Sequence, residues 1–414
     1  MQSVHSDEGF KTTAVQWPGR LTEFGLLVFA WTIPISHVPA QFGIGFAVLG
    51  WILEGTVNHH WQVRVNRVLW PLAFYMAWNI VCSVLSPRPL HSVLAVVDNE
   101  WAVFIMLMMF WTVRTPELLS RIMKGFLFSA SVAMMYAIWQ AFFGFELYRH
   151  MALDPMGRFY RAVGFYGFYL TFAAFAMTVF FLSTAQMLER RTTRRWFAAF
   201  LPVLSIAAIL LTFARSIWLS LAGVIPFLGL VRGKKKDLIV TAALLGVIAV
   251  CIVWVPTLRL RAESVFDLKA NETRINLWET SLKISHDFRI VGIGEDNFDF
   301  YFEKYKVPGY YDTTAHPHND YLNVLINSGV PGLLLFLWMW FESLKAGILT
   351  WRKAVSPTTR SAALGGTLSL AGLMIAALFQ DYYGSFINCL GWWFVVGLIF
   401  ASVHILEDGS LQRD

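Results

Sequence analysis

The chain has 414 residues, of which 57% are hydrophobic and 14% charged, and its mean hydropathy is +0.54. That balance excludes a soluble domain, since so apolar a chain lacks the polar residues to cover a water-facing surface; a bilayer is the solvent it suits. The formal net charge of +6 excludes nothing until it is located, but three cysteines, Cys82, Cys251 and Cys389, each in or beside an apolar run, exclude a disulfide framework and a cysteine zinc site.

The first 20 or so residues are polar and lack the short apolar core and small-residue cleavage site of a secretory signal, so the first apolar run reads as a retained anchor. A hydrocarbon core of ~30 Å needs about 20 apolar residues in helical form. Twelve runs approach that length, near residues 21–36, 41–55, 68–86, 93–113, 125–145, 163–185, 196–213, 217–231, 238–255, 321–349, 362–379 and 386–404. The 16% aromatic content suits interfaces and tightly packed bundles. The expected fold class is therefore an all-α polytopic membrane protein with about 12 transmembrane helices.

Lys and Arg favour cytoplasmic loops. With the N-terminus in the cytoplasm, five such loops hold sixteen basic residues: Arg64 and Arg67; Arg114, Arg121 and Lys124; Arg190, Arg191, Arg194 and Arg195; Arg232, Lys234, Lys235 and Lys236; Arg352, Lys353 and Arg360. The short outer loops offer Arg88, Arg149, Arg158, Arg161 and Arg215. The basic excess is then topological, and nucleic acid is not an expected partner. Twelve spans return the C-terminus to the cytoplasm.

The domain plan has nine spans in residues 1–255, a long outer loop in 256–320, and three spans with a short tail in 321–414. Long loops are commonly functional. This one carries Ile275, Leu277, Trp278, Leu282 and Ile284 in a helix-like stretch, which predicts one or two short helices over the membrane domain. No repeat of fixed period is present, and the charges sit at span ends without inverted symmetry, which counts against an ion-coupled transporter.

The candidate chemistry clusters around that loop. His316-Pro317-His318-Asn319-Asp320 stands at the mouth of the tenth span. An imidazole there can accept a proton from a sugar hydroxyl near neutral pH; it can equally cap the helix, and zinc ligation by the pair is a third option. Arg215 occupies a turn of about three residues between two apolar runs, where an unpaired charge is costly. With Arg274 and Arg161 it forms an outer set of guanidiniums suited to a lipid diphosphate, the alternative being a headgroup contact or stop signal. Gly292-Ile293-Gly294 lacks the lysine of a phosphate loop and reads as a tight turn. Glu295, Asp296 and Asp299 offer carboxylates for a divalent cation, but without the spacing of a calcium loop.

In order, Arg215, Arg274 followed by Trp278, Gly292-Ile293-Gly294-Glu295-Asp296-Asn297-Phe298, and His316-Pro317-His318-Asn319 leading into Leu322 and Gly329 resemble the O-antigen ligase and polymerase superfamily. That family places a glycine-flanked turn and a His-x-His-Asn element in one large periplasmic loop. The resemblance implies a membrane glycosyltransferase (GT-C-like) fold with a lipid-facing lateral cavity, in the bacterial inner membrane, with the site facing the periplasm. It implies a glycan donor on undecaprenyl diphosphate and a hydroxyl acceptor. The acceptor is lipid A core oligosaccharide for ligases, another glycan repeat for polymerases and a protein side chain for oligosaccharyltransferases. Protein-modifying relatives generally carry a further C-terminal domain, whereas this chain stops about ten residues after its last apolar run, so the ligase is expected, with the polymerase as alternative.

Residue by residue, the resemblance implies that His318 is the histidine of the His-Asn pair and the general base, and that Arg215 and Arg274 hold the diphosphate. Arg161 matches more loosely: Phe165 follows it, but Tyr166-Gly167-Phe168-Tyr169 stands where the family has Asn-Pro-Asn. His316 and Asn319 are supporting candidates. The expected reaction is an inverting displacement without nucleotide, cofactor or metal, because the diphosphate is already activated and arginines can replace the cation.

Overall fold

Each of the twelve apolar runs is helical over most of its length, which satisfies backbone polar groups without water. The computed structural model describes residues 16–59, 61–67, 69–189, 195–233, 235–313 and 316–411. The polar stretch before residue 16, and Arg190, Arg191, Arg194 and Lys234 of the basic loops, lie outside the described residues.

The first half contains α1 (Trp17–Thr32), α2 (His37–Val57), α3 (Leu69–Val84), α4 (Pro89–Glu100), α5 (Val103–Thr112), α6 (Pro116–Phe143) and α7 (Tyr169–Glu189). Then come α8 (Arg195–Thr212), α9 (Arg215–Arg232) and α10 (Lys235–Trp254). The long loop folds as α11 (Pro256–Glu263), a 3₁₀ turn at Lys269–Asn271, α12 (Glu272–Asp287) and α13 (Phe298–Tyr305). The chain closes with α14 (Asp320–Lys353), α15 (Pro357–Ala376) and α16 (Phe386–Leu411).

Among the described residues, six helices are long and apolar enough to cross a membrane: α2, α6, α7, α10, α14 and α16. There are seven if α4 and α5, which meet at a 42° bend, form one broken span, while α3, α8 and α9 are shorter apolar helices. The loop between α6 and α7 is more ordered than a plain turn. It holds two antiparallel hairpins, β1 (Phe145–Glu146) with β2 (Met151–Ala152) and β3 (Pro155–Met156) with β4 (Phe159–Tyr160).

Contacts between loops show that the helices run alternately between two ends. At one end the loop after α3 meets the long loop through Arg88 and Asp299, 2.6 Å apart. At the same end Tyr166, ahead of α7, donates to the Ile33 carbonyl at 2.6 Å. At the other end Arg64 pairs with Asp408 of α16 at 2.6 Å, and Arg360 pairs with Glu189 at 2.7 Å. Between them Trp340, Trp392 and Trp393 are almost wholly buried and pack on Tyr383.

One break decides how the long loop docks. Gly329 interrupts α14 with φ 66° and ψ −172°, two residues ahead of Pro331. The turn at 289–294 enters the gap: Val330 N–H donates to the Arg289 carbonyl at 2.8 Å, and Ile293 and Gly294 N–H donate to the Ile326 and Asn327 carbonyls at 2.8 and 3.0 Å. Trp78 of α3 seals the other side by donating to the Ser328 carbonyl at 2.8 Å. The Gly292-Ile293-Gly294 segment is thus a tight turn, as expected, with both glycines at positive φ.

Candidate active site

The histidine motif is strapped at both sides. Asn319 is the N-cap of α14, its side-chain oxygen accepting from Leu322 N–H at 3.1 Å, so the capping role falls to Asn319 and to neither histidine. The other end of the same amide donates to the Leu378 carbonyl at 2.9 Å. The next residue, Asp320, is 1% exposed and accepts from the backbone N–H groups of Tyr382 and Tyr383 at 3.0 and 2.9 Å. Two neighbouring residues therefore pin the motif to the loop between α15 and α16.

His318 stands just before this anchor with φ 52°, a left-handed conformation that is uncommon outside glycine and is tolerated where the surroundings over-determine it. Its ring is 4.3 Å from that of His316, edge to face, and its backbone N–H donates to His316 Nδ1 at 3.3 Å. His316 Nδ1 in turn is 3.7 Å from Asp381. The Nδ1 of His318 is buried without a hydrogen-bond partner. Burial drives the His318 imidazole down to about 4; His316 and Arg274 add to this, and Asp381 and Asp312 oppose it. The ring is accordingly neutral at physiological pH.

The arginines converge from four elements. Arg215 is the first residue of α9, two residues after Phe213, whose φ of 56° turns the chain sharply. Its guanidinium donates to the Ser264 carbonyl, to Ser264 Oγ at 3.2 Å and to Asn271 Oδ1 at 3.1 Å, and it feels the positive fields of Arg261 and Arg274. Arg274 of α12 reaches Gln380 Oε1 at 3.4 Å, and its charge also acts on His318. Arg161 follows β4, pairs with Asp154 at 3.3 Å and lies 4.3 Å over the Tyr169 ring, with its Nε buried and unpartnered.

Arg261 completes the set and was not singled out in the sequence. It alternates with Arg259 on α11, and spacing alone does not say which turns inward. Arg259 pairs with Glu263, while Arg261 donates to the Phe213 carbonyl at 3.1 Å. Burial lowers the Arg261 guanidinium below the usual arginine range, Arg161 and Arg274 add to this, and Tyr169 opposes it. All four arginines are half-buried, and among the described residues Arg215, Arg261 and Arg274 have no ion-pair partner.

Next to the histidines opens a cavity of about 790 Å³, between α4, the turn before α13, the start of α14 and the loop after α15. Its charged lining is acidic: Asp98, Glu295, Asp296 and Asp381. His316 sits on its wall, and none of the arginines lines it. The carboxylates considered for a cation have other partners. Asp299 pairs with Arg88, Asp296 with His91 at 3.0 Å, and Glu295 accepts from Asn327 Nδ2 at 3.1 Å. Among the described residues no group of three or more His, Cys, Asp and Glu converges closely enough to hold a metal ion. Burial, with Asp381 next in size, pushes the Glu295 carboxyl up to about 7.

Fold and site together define a polytopic α-helical membrane protein with a charged site beneath one long loop. Within it, residues 200–337 match the family model described as O-antigen ligase, which supports assigning the chain to the O-antigen ligase superfamily, whose members are glycosyltransferase-like enzymes. The match covers about a third of the chain. It includes Arg215, Arg261, Arg274, Glu295, His316, His318 and Asn319, and leaves out Arg161 and Asp381. No curated protein matches the chain.

Proposed function

We propose that this protein is an O-antigen ligase: it transfers a glycan from undecaprenyl diphosphate to a hydroxyl of the lipid A core oligosaccharide. It works in the bacterial inner membrane with twelve spans of the GT-C-like type, both termini cytoplasmic and the long loop in the periplasm. The observation that carries this reading is the gathering of Arg215, Arg261 and Arg274, without ion-pair partners among the described residues, beside a neutral His318. Like charges gathered in a half-buried site repel one another more than they would in water. A diphosphate relieves that repulsion, and guanidiniums meet its oxygens in bidentate fashion.

In this mechanism Arg215 and Arg274 hold the diphosphate and offset the charge that grows on it as the glycosidic bond breaks. Arg261 adds to their field, and Arg161, partly neutralised by Asp154, flanks the site through Tyr169. His318 takes the proton of the attacking hydroxyl. Its low affinity for protons in the free protein rises when the bound diphosphate cancels the field of Arg274. His316 holds the backbone of His318 in place, and Asn319 fixes the strap behind it. Direct attack inverts the anomeric carbon and needs no metal.

The test is transfer by the purified protein from undecaprenyl-diphosphate-linked glycan to lipid A core. Arg215→Ala and Arg274→Ala should each cost about 10²- to 10³-fold in kcat, and His318→Ala about 10²- to 10⁴-fold, with thermal unfolding little changed. Retained transfer in both His318→Ala and Arg215→Ala would overturn the mechanism. Elongation of the donor glycan without use of the core would make the protein a polymerase of the same superfamily.

A further inference from the structure

The acidic cavity has no role yet in the chemistry assigned to the arginines and His318. Its chemistry is opposite to theirs: four carboxylates, with the carboxamides of Asn99, Asn323 and Asn327 among them and Trp101 as apolar wall. Asn327 gives the more specific sign. It is 3% exposed, its Nδ2 is taken by Glu295, and its Oδ1 is buried without a partner. An unmet buried acceptor is costly to maintain. It asks for a ligand that donates hydrogen bonds, which hydroxyls and amines do and ionised phosphates do not.

We infer that this cavity is the acceptor-sugar site, and that its carboxylates select neutral or amine-bearing sugars while rejecting phosphorylated or otherwise anionic ones. The inference rests on the transferase reading above for the direction of transfer, and goes beyond it in naming which sugars enter. The carboxylates accept from sugar hydroxyls or ammonium groups, the carboxamides both donate and accept, and His316 on the wall places the bound hydroxyls beside His318. A phosphate in the same space meets like charge from Asp98, Asp296 and Asp381, offset in part by His91 against Asp296 and by His316 near Asp381. The same repulsion keeps an anionic donor headgroup on the arginine side, so the two substrates are sorted by charge.

Three disaccharides of one linkage serve as probes: a neutral glucosyl disaccharide, its 2-amino-2-deoxy analogue and its 6-phosphate. Binding to the full chain in nanodiscs is followed by saturation-transfer NMR and titration. The neutral and amino compounds should bind at least about tenfold more tightly than the phosphate. Asp98→Lys, at an exposed position that leaves the fold intact, should narrow or reverse that ratio. Equal or tighter binding of the phosphate by the unmodified protein, absence of saccharide binding, or an unchanged ratio in Asp98→Lys overturns the inference. Farnesyl diphosphate is titrated in parallel as a donor mimic. If it fails to bind while the disaccharides still show the charge preference, the transferase reading falls and the selection by charge stands.

Discussion

His318 and Glu295 carry opposite shifts, each with a measurable consequence. Because the neutral imidazole of His318 persists down to about pH 4 in the free protein, the acid limb of kcat/KM should lie near that value. Bound diphosphate raises the imidazole's proton affinity, so the limb of kcat should lie at higher pH. Parallel profiles of the two constants between pH 4 and 8 check this, and a kcat/KM limb near 6.5 would contradict a desolvated His318. Glu295 holds its proton up to about 7 in the fold, against an ordinary value of 4.5. Between those values the folded chain keeps a proton that the unfolded chain has released. The stability it contributes is therefore full below about pH 4.5 and lost as pH rises through 7. Glu295→Gln should raise Tm at pH 8 and leave it nearly unchanged near pH 4, read by thermal unfolding in detergent.

At the scale of elements, α14 matters most, because its break receives the turn of the long loop and its first residues strap the histidines. At Gly329 any other residue would be held at φ 66°, and a Cβ would press into the carbonyl of Ile290. Gly329→Ala should therefore cost roughly 3 kcal/mol or more, from strain together with displacement of the docked turn. Thermal unfolding measures that cost. Transfer should fall as well, since residues 289–294 lead into Glu295 on the cavity wall. An unchanged Tm in Gly329→Ala would show that the turn is not seated in the break.

Across the whole molecule, the loop contacts sort the connections onto two ends, and the proposed orientation puts the long loop outside. Two exposed positions test it: Phe266 in the long loop is 86% exposed, and Val355 between α14 and α15 is 73% exposed. In a background lacking Cys82, Cys251 and Cys389, a membrane-impermeant maleimide should label Phe266→Cys in intact spheroplasts and Val355→Cys only after permeabilisation. The reverse pattern would place the termini and the site on the other sides.

Much of the architecture was legible in the chain because a bilayer imposes a simple rule: about 20 apolar residues in a helix for each crossing. The twelve expected runs are helical over most of their length, 93–113 as two helices meeting at 42°, though six or seven have the length and hydropathy of a crossing. The long loop carries three short helices where one or two were expected, with α12 at 272–287 against the expected stretch of 273–285. His318, Arg215 and Arg274 stood out by residue type at costly positions, and Gly292 and Gly294 by their turn chemistry. What the chain did not disclose depends on distance in space. Arg261 faces the other arginines while Arg259, two residues earlier, pairs with Glu263. Asn319, not a histidine, caps α14. Asp98 and Asp381 lie at span ends and Glu295 and Asp296 in the long loop, and only folding brings these three distant segments to one cavity. Local pattern determined the helices and the motif, because both obey short-range rules of solvation and hydrogen bonding. Tertiary structure alone decided which charges share a field, because electrostatic coupling depends on separation through the fold and not along the chain.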